Sequence, residues 1–183
     1  MNKNRSGNFR NGRAARTIVC GLLVALAVTG MASAQEKTEL KFRGGIGVIP
    51  VTGVAAGGTV TLNVVRGVNP AGPWRIADLD ADVSSYGRIR VRGRGLLLAA
   101  GNGIGTNAGA SVFATLFCGP ANTATAHSSD RVALDVDGDF RIDDVLSPAP
   151  PTGCDAPVLL IRNGAGSGVW FAAGIPELGR LEK

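Results

Sequence analysis

The chain has 183 residues, with 19 Lys and Arg against 14 Asp and Glu, but its positive excess is confined to one end. Lys3, Arg5, Arg10, Arg13 and Arg16 all lie in the first 16 residues, and beyond them basic and acidic side chains balance at 14 each. A domain that binds a polyanion carries a basic excess of its own, so this balance argues against nucleic acid and anionic lipid as partners.

The basic run leads into the apolar stretch Ile18–Val28 and then Ala32-Ser33-Ala34 before Gln35. A positive n-region, a short h-region and an A-x-A site are the parts a signal peptidase reads. Residues 1–34 are therefore expected to be a secretory signal peptide, and residues 35–183 a single all-β domain. The apolar run falls short of the ~20 residues needed to cross a bilayer, so no transmembrane span is expected after signal cleavage. Val19 precedes Cys20 and most of the apolar run follows it, which does not fit a lipoprotein attachment site. No Arg-Arg pair supports a twin-arginine route. The expected destination is secreted, periplasmic or extracellular. Cleavage also removes Cys20 and leaves Cys118 and Cys154, which in an oxidising compartment predict one disulfide.

The 149 residues after Ala34 hold 23 Gly and nine Pro. The glycine content is well above the usual ~7%, and the punctuation interrupts nearly every candidate helix. Between the interruptions lie short runs of period two. Glu39–Arg43 and Thr59–Val64 alternate, and Ser111–Cys118 is apolar on both faces, as a central strand would be. Val158–Ile161 and Val169–Ala172 flank the Gly-rich 163–168 segment and predict a hairpin. Eight to ten such strands predict an antiparallel β-sandwich of Greek-key, Ig-like or jelly-roll type, with a barrel as the alternative.

In Arg88-Ile-Arg-Val-Arg-Gly-Arg94 the four arginines, Arg88, Arg90, Arg92 and Arg94, share one strand face. Asp78, Asp80 and Asp82 share a face in the run just upstream, and the turn-like 84–87 segment between them predicts a hairpin. If Asp82 stands opposite Arg88 or Arg90, every aspartate meets an arginine and the apolar residues meet one another. The pattern then reads as a structural charge ladder, in which each cross-strand pair contributes roughly 0.2–1 kcal/mol. One arginine is left unmatched, free to touch a ligand.

Asp135, Asp137 and Asp139 suggest calcium, since clustered carboxylates suit hard cations. An EF-hand loop starting at Asp135 would place Phe140 at position 6, where glycine is required, so that motif is absent. A hairpin with Val136-Asp137-Gly138 as its loop would set Leu134 against Phe140, Val132 against Ile142 and Asp135 against Asp139; a loop of 137–139 would instead pair Asp135 with Arg141, at the cost of glycine's preferred position. No other cofactor is expected. His127 is the only histidine and reads as a surface-loop residue. No G-x-S-x-G elbow surrounds Ser111 or Ser167, so no catalytic triad is predicted. The glycines of 101–109 precede a strand, whereas a dinucleotide-binding loop opens a helix.

Gly47–Asn63 resembles the opening of chordin-type (CHRD) domains, secreted β-domains found in bacteria. Phe117-Cys-Gly-Pro-Ala121 falls where that family has a His-containing Gly-Pro turn, and the stretch from Gly138 through Cys154 to Gly174 is similar to other bacterial exported proteins. Cys118 stands near the place of the family's histidines, so no functional residue carries over. The resemblance implies an extracellular module. The expected function is a non-enzymatic extracellular or periplasmic β-domain with a binding or structural role and a protein or glycan partner. The alternative is a small secreted hydrolase or carbohydrate-active protein using aspartates, with or without calcium.

Overall fold

A computed structural model describes residues 38–166 and 168–177; the expected signal peptide lies outside the described residues. No helix forms among them. Thirteen strands follow in chain order: β1 (Thr38–Gly47), β2 (Val51–Val54), β3 (Val60–Leu62), β4 (Trp74–Arg75), β5 (Asp78–Ser84), β6 (Arg88–Arg94), β7 (Leu97–Leu98), β8 (Ser111–Cys118), β9 (Thr125–Ser128), β10 (Val132–Ala133), β11 (Phe140–Val145), β12 (Val158–Asn163) and β13 (Trp170–Pro176).

Nine of these strands make one antiparallel sheet in the order β10-β8-β12-β13-β1-β5-β6-β11, with β9 also paired to β8. The sheet curls into a half-barrel, so the described residues are all-β and antiparallel and take the sense of the barrel alternative, not two stacked sheets. Within it, the pairing of β1 with β13 shifts register between Phe42 and Gly45. A second shift lies between Thr38 and Leu40 against β5. Extra residues on one strand bend it and raise its local twist.

Burial follows strand parity. In β5 and β6 Leu79, Ala81, Val83, Ile89 and Val91 are wholly buried, while the charged residues between them face outward. In β12 Leu159, Leu160 and Ile161 are consecutive and all buried, so that strand is covered on both faces. β8 is likewise buried from Ala114 to Cys118, consistent with its apolar composition. Trp74 of β4 stacks on Phe171 of β13 with ring centroids 4.1 Å apart.

The segment from Val132 to Ile142 departs from a simple hairpin. Its turn forms as the composition suggests: the Asp135 N–H donates to the Asp139 carbonyl at 2.9 Å, and Gly138 takes φ 82°. The flanking strands then part. Val132 pairs with Val112 of β8, and Ile142 pairs with Val91 of β6. Val132 and Ile142 are thus not a cross-strand pair, because each arm satisfies the backbone groups of a different sheet edge. The turn consequently links the two ends of the sheet. A second link is made where Ser128 and Ser147 exchange backbone hydrogen bonds of 3.0 and 2.8 Å.

Cys118, at the end of β8, is bonded to Cys154 in the β11–β12 connection, with Cα atoms 5.0 Å apart. The Gly119 N–H donates to the Asp155 carbonyl beside it at 2.7 Å. The bridge closes a loop across a sequence separation of 36, which by loop-closure entropy stabilises the fold by roughly 4 kcal/mol.

Urea unfolding tests both features. The double variant Cys118→Ser/Cys154→Ser is expected to lose roughly 4 kcal/mol. At Gly138 an added Cβ would lie 2.5 Å from the Leu96 carbonyl oxygen, whereas at Gly101, also left-handed at φ 77°, it would meet open space. Gly138→Ala should therefore cost roughly 2–4 kcal/mol and Gly101→Ala about 1, the difference reporting the contact with Leu96.

Candidate functional site

Two outward surfaces stand out, one charged and one apolar. The charged face is built on the β5–β6 hairpin, whose register pairs Asp78 with Arg94, Asp80 with Arg92 and Asp82 with Arg90. Leu79 meets Gly93, Ala81 meets Val91 and Val83 meets Ile89 on the inner side. An alanine at Gly93 would run into the ring of Phe140, which covers that glycine from β11.

Side-chain contacts widen the face to four strands. Arg94 reaches Asp78 at 2.6 Å. Arg43 of β1, not Arg90, takes Asp82 at 2.8 Å, and its Nε lies 3.8 Å from Asp80. Asp143 of β11 accepts from Arg88 at 2.7 Å and lies 3.7 Å from Arg90. Arg43 and Asp143 join the charged face through adjacencies that the hairpin pattern does not reveal. Their only sequence signal is that Lys41 and Arg43, like Arg141 and Asp143, alternate with apolar residues.

Arg94's hydrogen bond holds the Asp78 carboxyl below its ordinary range, with desolvation working against it. Asp78 in turn raises the Arg94 guanidinium, and Asp82 does the same to Arg43, in each case mainly through the hydrogen bond. These pairs are solvent-exposed, so each contributes little to stability.

Arg92 stands opposite Arg141 across β6 and β11, and among the described residues neither has a carboxylate within 4.0 Å. The two line a shallow groove of ≈ 370 Å³ with Arg43, Asp80, Asp82 and Arg90. They also line a neighbouring groove of ≈ 540 Å³ that Asp78, Arg94, Asp135 and Asp139 complete.

The expected calcium ligands do not converge. The Asp139 carboxylate accepts from the Gly95 N–H at 2.9 Å, and that of Asp137 from the Asp139 N–H at 3.3 Å. They serve as turn and strand caps, as aspartates do where local backbone donors are free. Among the described residues no group of three His, Cys, Asp or Glu side chains is brought together as metal ligands.

His127 is not in a surface loop. It lies in β9 and is only 4% exposed. Its Nδ1 donates to the Pro148 carbonyl at 2.8 Å, and its Nε2 is 2.9 Å from Thr125 Oγ1. Because a carbonyl can only accept, Nδ1 carries a proton, and the Thr125 hydroxyl occupies the other ring nitrogen. Ser128 bonds instead to Thr115 at 3.0 Å, so no serine–histidine dyad forms between these neighbours. Ser167 lies outside the described residues.

The apolar surface is an arm made of β2 and β3. No charged residue occurs from 44 to 65. Val51 pairs with Leu62 and Val54 with Val60, the register shifting between Val51 and Gly53. Simple parity would put Val51 and Val54 on opposite faces; the irregularity sets both opposite apolar partners on one face. Val54, Val60 and Leu62 are 65%, 51% and 50% exposed, so that face is largely uncovered. Trp170 holds the root, its Nε1–H donating to the Asn63 carbonyl at 3.1 Å.

No known family model, characterised protein or solved structure matches the chain.

The Asp78–Arg94 pair is expected to show itself in acid. A depressed folded-state pKa contributes stability above the unfolded carboxylate value of ~3.9 and loses it as pH falls through the folded value. Melting temperatures of the wild type and Asp78→Asn should differ near neutral pH and converge below about pH 4. A gap that persists in strong acid would show that the carboxylate charge is not its source.

Proposed function

We propose that this chain is an exported, non-enzymatic bacterial β-domain of the periplasm or extracellular space, acting through binding or structural contact. The observation that supports it is the β2–β3 arm, whose face of half-buried Val51 and exposed Val54, Val60 and Leu62 carries no charge. An isolated two-stranded hairpin is marginal in water, and an uncharged arm with free strand edges suits a protein partner that offers apolar side chains or an added strand. The disulfide is compatible with an oxidising compartment. A relationship to chordin-type domains belongs to the same proposal, since Gly47–Asn63, which carries that resemblance, contains the arm.

The test is a double variant, Val54→Lys/Leu62→Lys, in the exported protein. Both positions are exposed, so stability should change by no more than about 0.5 kcal/mol per site. Wild type is expected to retain a partner from the envelope or culture medium and the variant to lose it. Equal retention by both would remove the arm as the binding surface. Mass spectrometry of the exported protein should find an N-terminus at Gln35 and oxidised cysteines. A hydrolytic activity unaffected by the arm variant would support the aspartate-using enzyme instead.

A further inference from the structure

We propose that Arg92 and Arg141 together form a binding site for a tetrahedral oxyanion, a phosphate or sulfate group, on the outer face of the sheet. The site shares no residue with the β2–β3 arm and extends beyond the function proposed above.

The argument begins with what the other arginines of this face do. Arg43, Arg88, Arg90 and Arg94 each have a carboxylate within 4 Å. Arg92 and Arg141 have none among the described residues, yet they occupy directly opposed positions across β6 and β11. Opposed residues in an antiparallel pair have Cβ atoms only ~4.5–5.5 Å apart, and like charges there are destabilising. Asp80 stands opposite Arg92 on the other side, but Asp80 lies 3.8 Å from Arg43. Asp143, the nearest acid along β11, accepts from Arg88. Asp82 and Asp143 are thus taken by other arginines, Asp80 makes only the longer approach to Arg43, and among the described residues the like-charged pair has no carboxylate within 4.0 Å.

Arg92 and Arg141 line a common groove of ≈ 370 Å³ with Arg43, Arg90, Asp80 and Asp82. This groove carries four guanidiniums against two carboxylates, whereas the adjoining ≈ 540 Å³ groove sets Asp78, Asp80, Asp135 and Asp139 against Arg92, Arg94 and Arg141, so an anion is favoured on the ≈ 370 Å³ side of the arginine pair. Guanidinium forks bind tetrahedral oxyanions through paired N–H···O bonds, and two forks from adjacent strands can hold different oxygens of one group. Bulk solvent reaches the groove, so binding should be weak and sensitive to ionic strength.

The test uses the purified exported protein in a chloride buffer free of oxyanions. Sodium phosphate, sodium sulfate and a sulfated oligosaccharide are titrated, each against sodium chloride at matched ionic strength. A saturable rise in melting temperature of ~3 °C or more is expected at ten times the dissociation constant. Arg92→Gln and Arg141→Gln should each weaken binding at least tenfold, while Arg131→Gln, just before β10 and lining neither groove, should bind as wild type does. Tighter binding of the sulfated oligosaccharide than of its unsulfated form or free sulfate assigns the group to a polymer; equal binding of sulfate and oligosaccharide assigns it to the free ion. Without oxyanion, both glutamine variants should melt no lower than wild type, since each removes one member of a repelling pair. The proposal is overturned if no oxyanion differs from chloride, if both variants titrate like wild type, or if they melt clearly lower without oxyanion.

Discussion

A slip of one residue between β5 and β6 would turn either Asp80 and Asp82 or Arg90 and Arg92 toward a core that holds Leu79, Ala81, Ile89 and Val91 at full burial. Burying even one unpaired charge costs several kcal/mol, so the observed register is held from both faces at once. The rest of the sheet depends on it. β1 lies against β5 and β11 against β6, and each continues the same division into apolar inside and charged outside. Lys41 and Arg43 stand opposite Asp82 and Asp80, and Asp143 stands opposite Arg90. Weak exposed ion pairs do not account for the fold's stability; they fix which face is out.

The half-barrel needs its free edges managed, since unpaired strand edges invite association. Two features do this. The Asp135–Asp139 turn sends β10 to β8 and β11 to β6, and Ser128 and Ser147 close part of the remaining gap. Gly138 is the constrained point of that turn, because its backbone lies against Leu96 in a left-handed conformation. The disulfide holds the end of β8 to the connection that leaves β11 and enters β12, so a covalent tie reinforces the region where the sheet turns back on itself.

The side chains with the most chemical promise in the sequence are engaged within the fold. His127 has both ring nitrogens hydrogen-bonded, Asp139 caps Gly95, and Cys118 and Cys154 are joined. What faces outward is different in kind: an uncharged arm with one apolar face, and a charged face on which Arg92 and Arg141 stand opposite one another.

Much of this was legible in the residues themselves. Period-two alternation and glycine punctuation specified an all-β antiparallel chain, because side-chain direction in a strand depends only on position along it. Asp78–Asp82 and Arg88–Arg94 announced their pairing, because a short turn joins them and one register satisfies both faces. The non-local neighbours were not legible. That Arg43 takes Asp82, that Asp143 takes Arg88, and that Arg141 is set against Arg92 all follow from placing β1 beside β5 and β11 beside β6. Those adjacencies are decided by how the whole sheet closes over its core. The same holds for His127, whose polar surroundings in sequence suggested a loop, whereas pairing of β9 with β8 carried it inside. The arm's single apolar face depended on a register shift that simple alternation does not encode. Local chemistry thus determined the strands and their hairpins. Tertiary closure decided which charges meet and which are left without a partner, because contacts between distant strands depend on the packing of all the strands together.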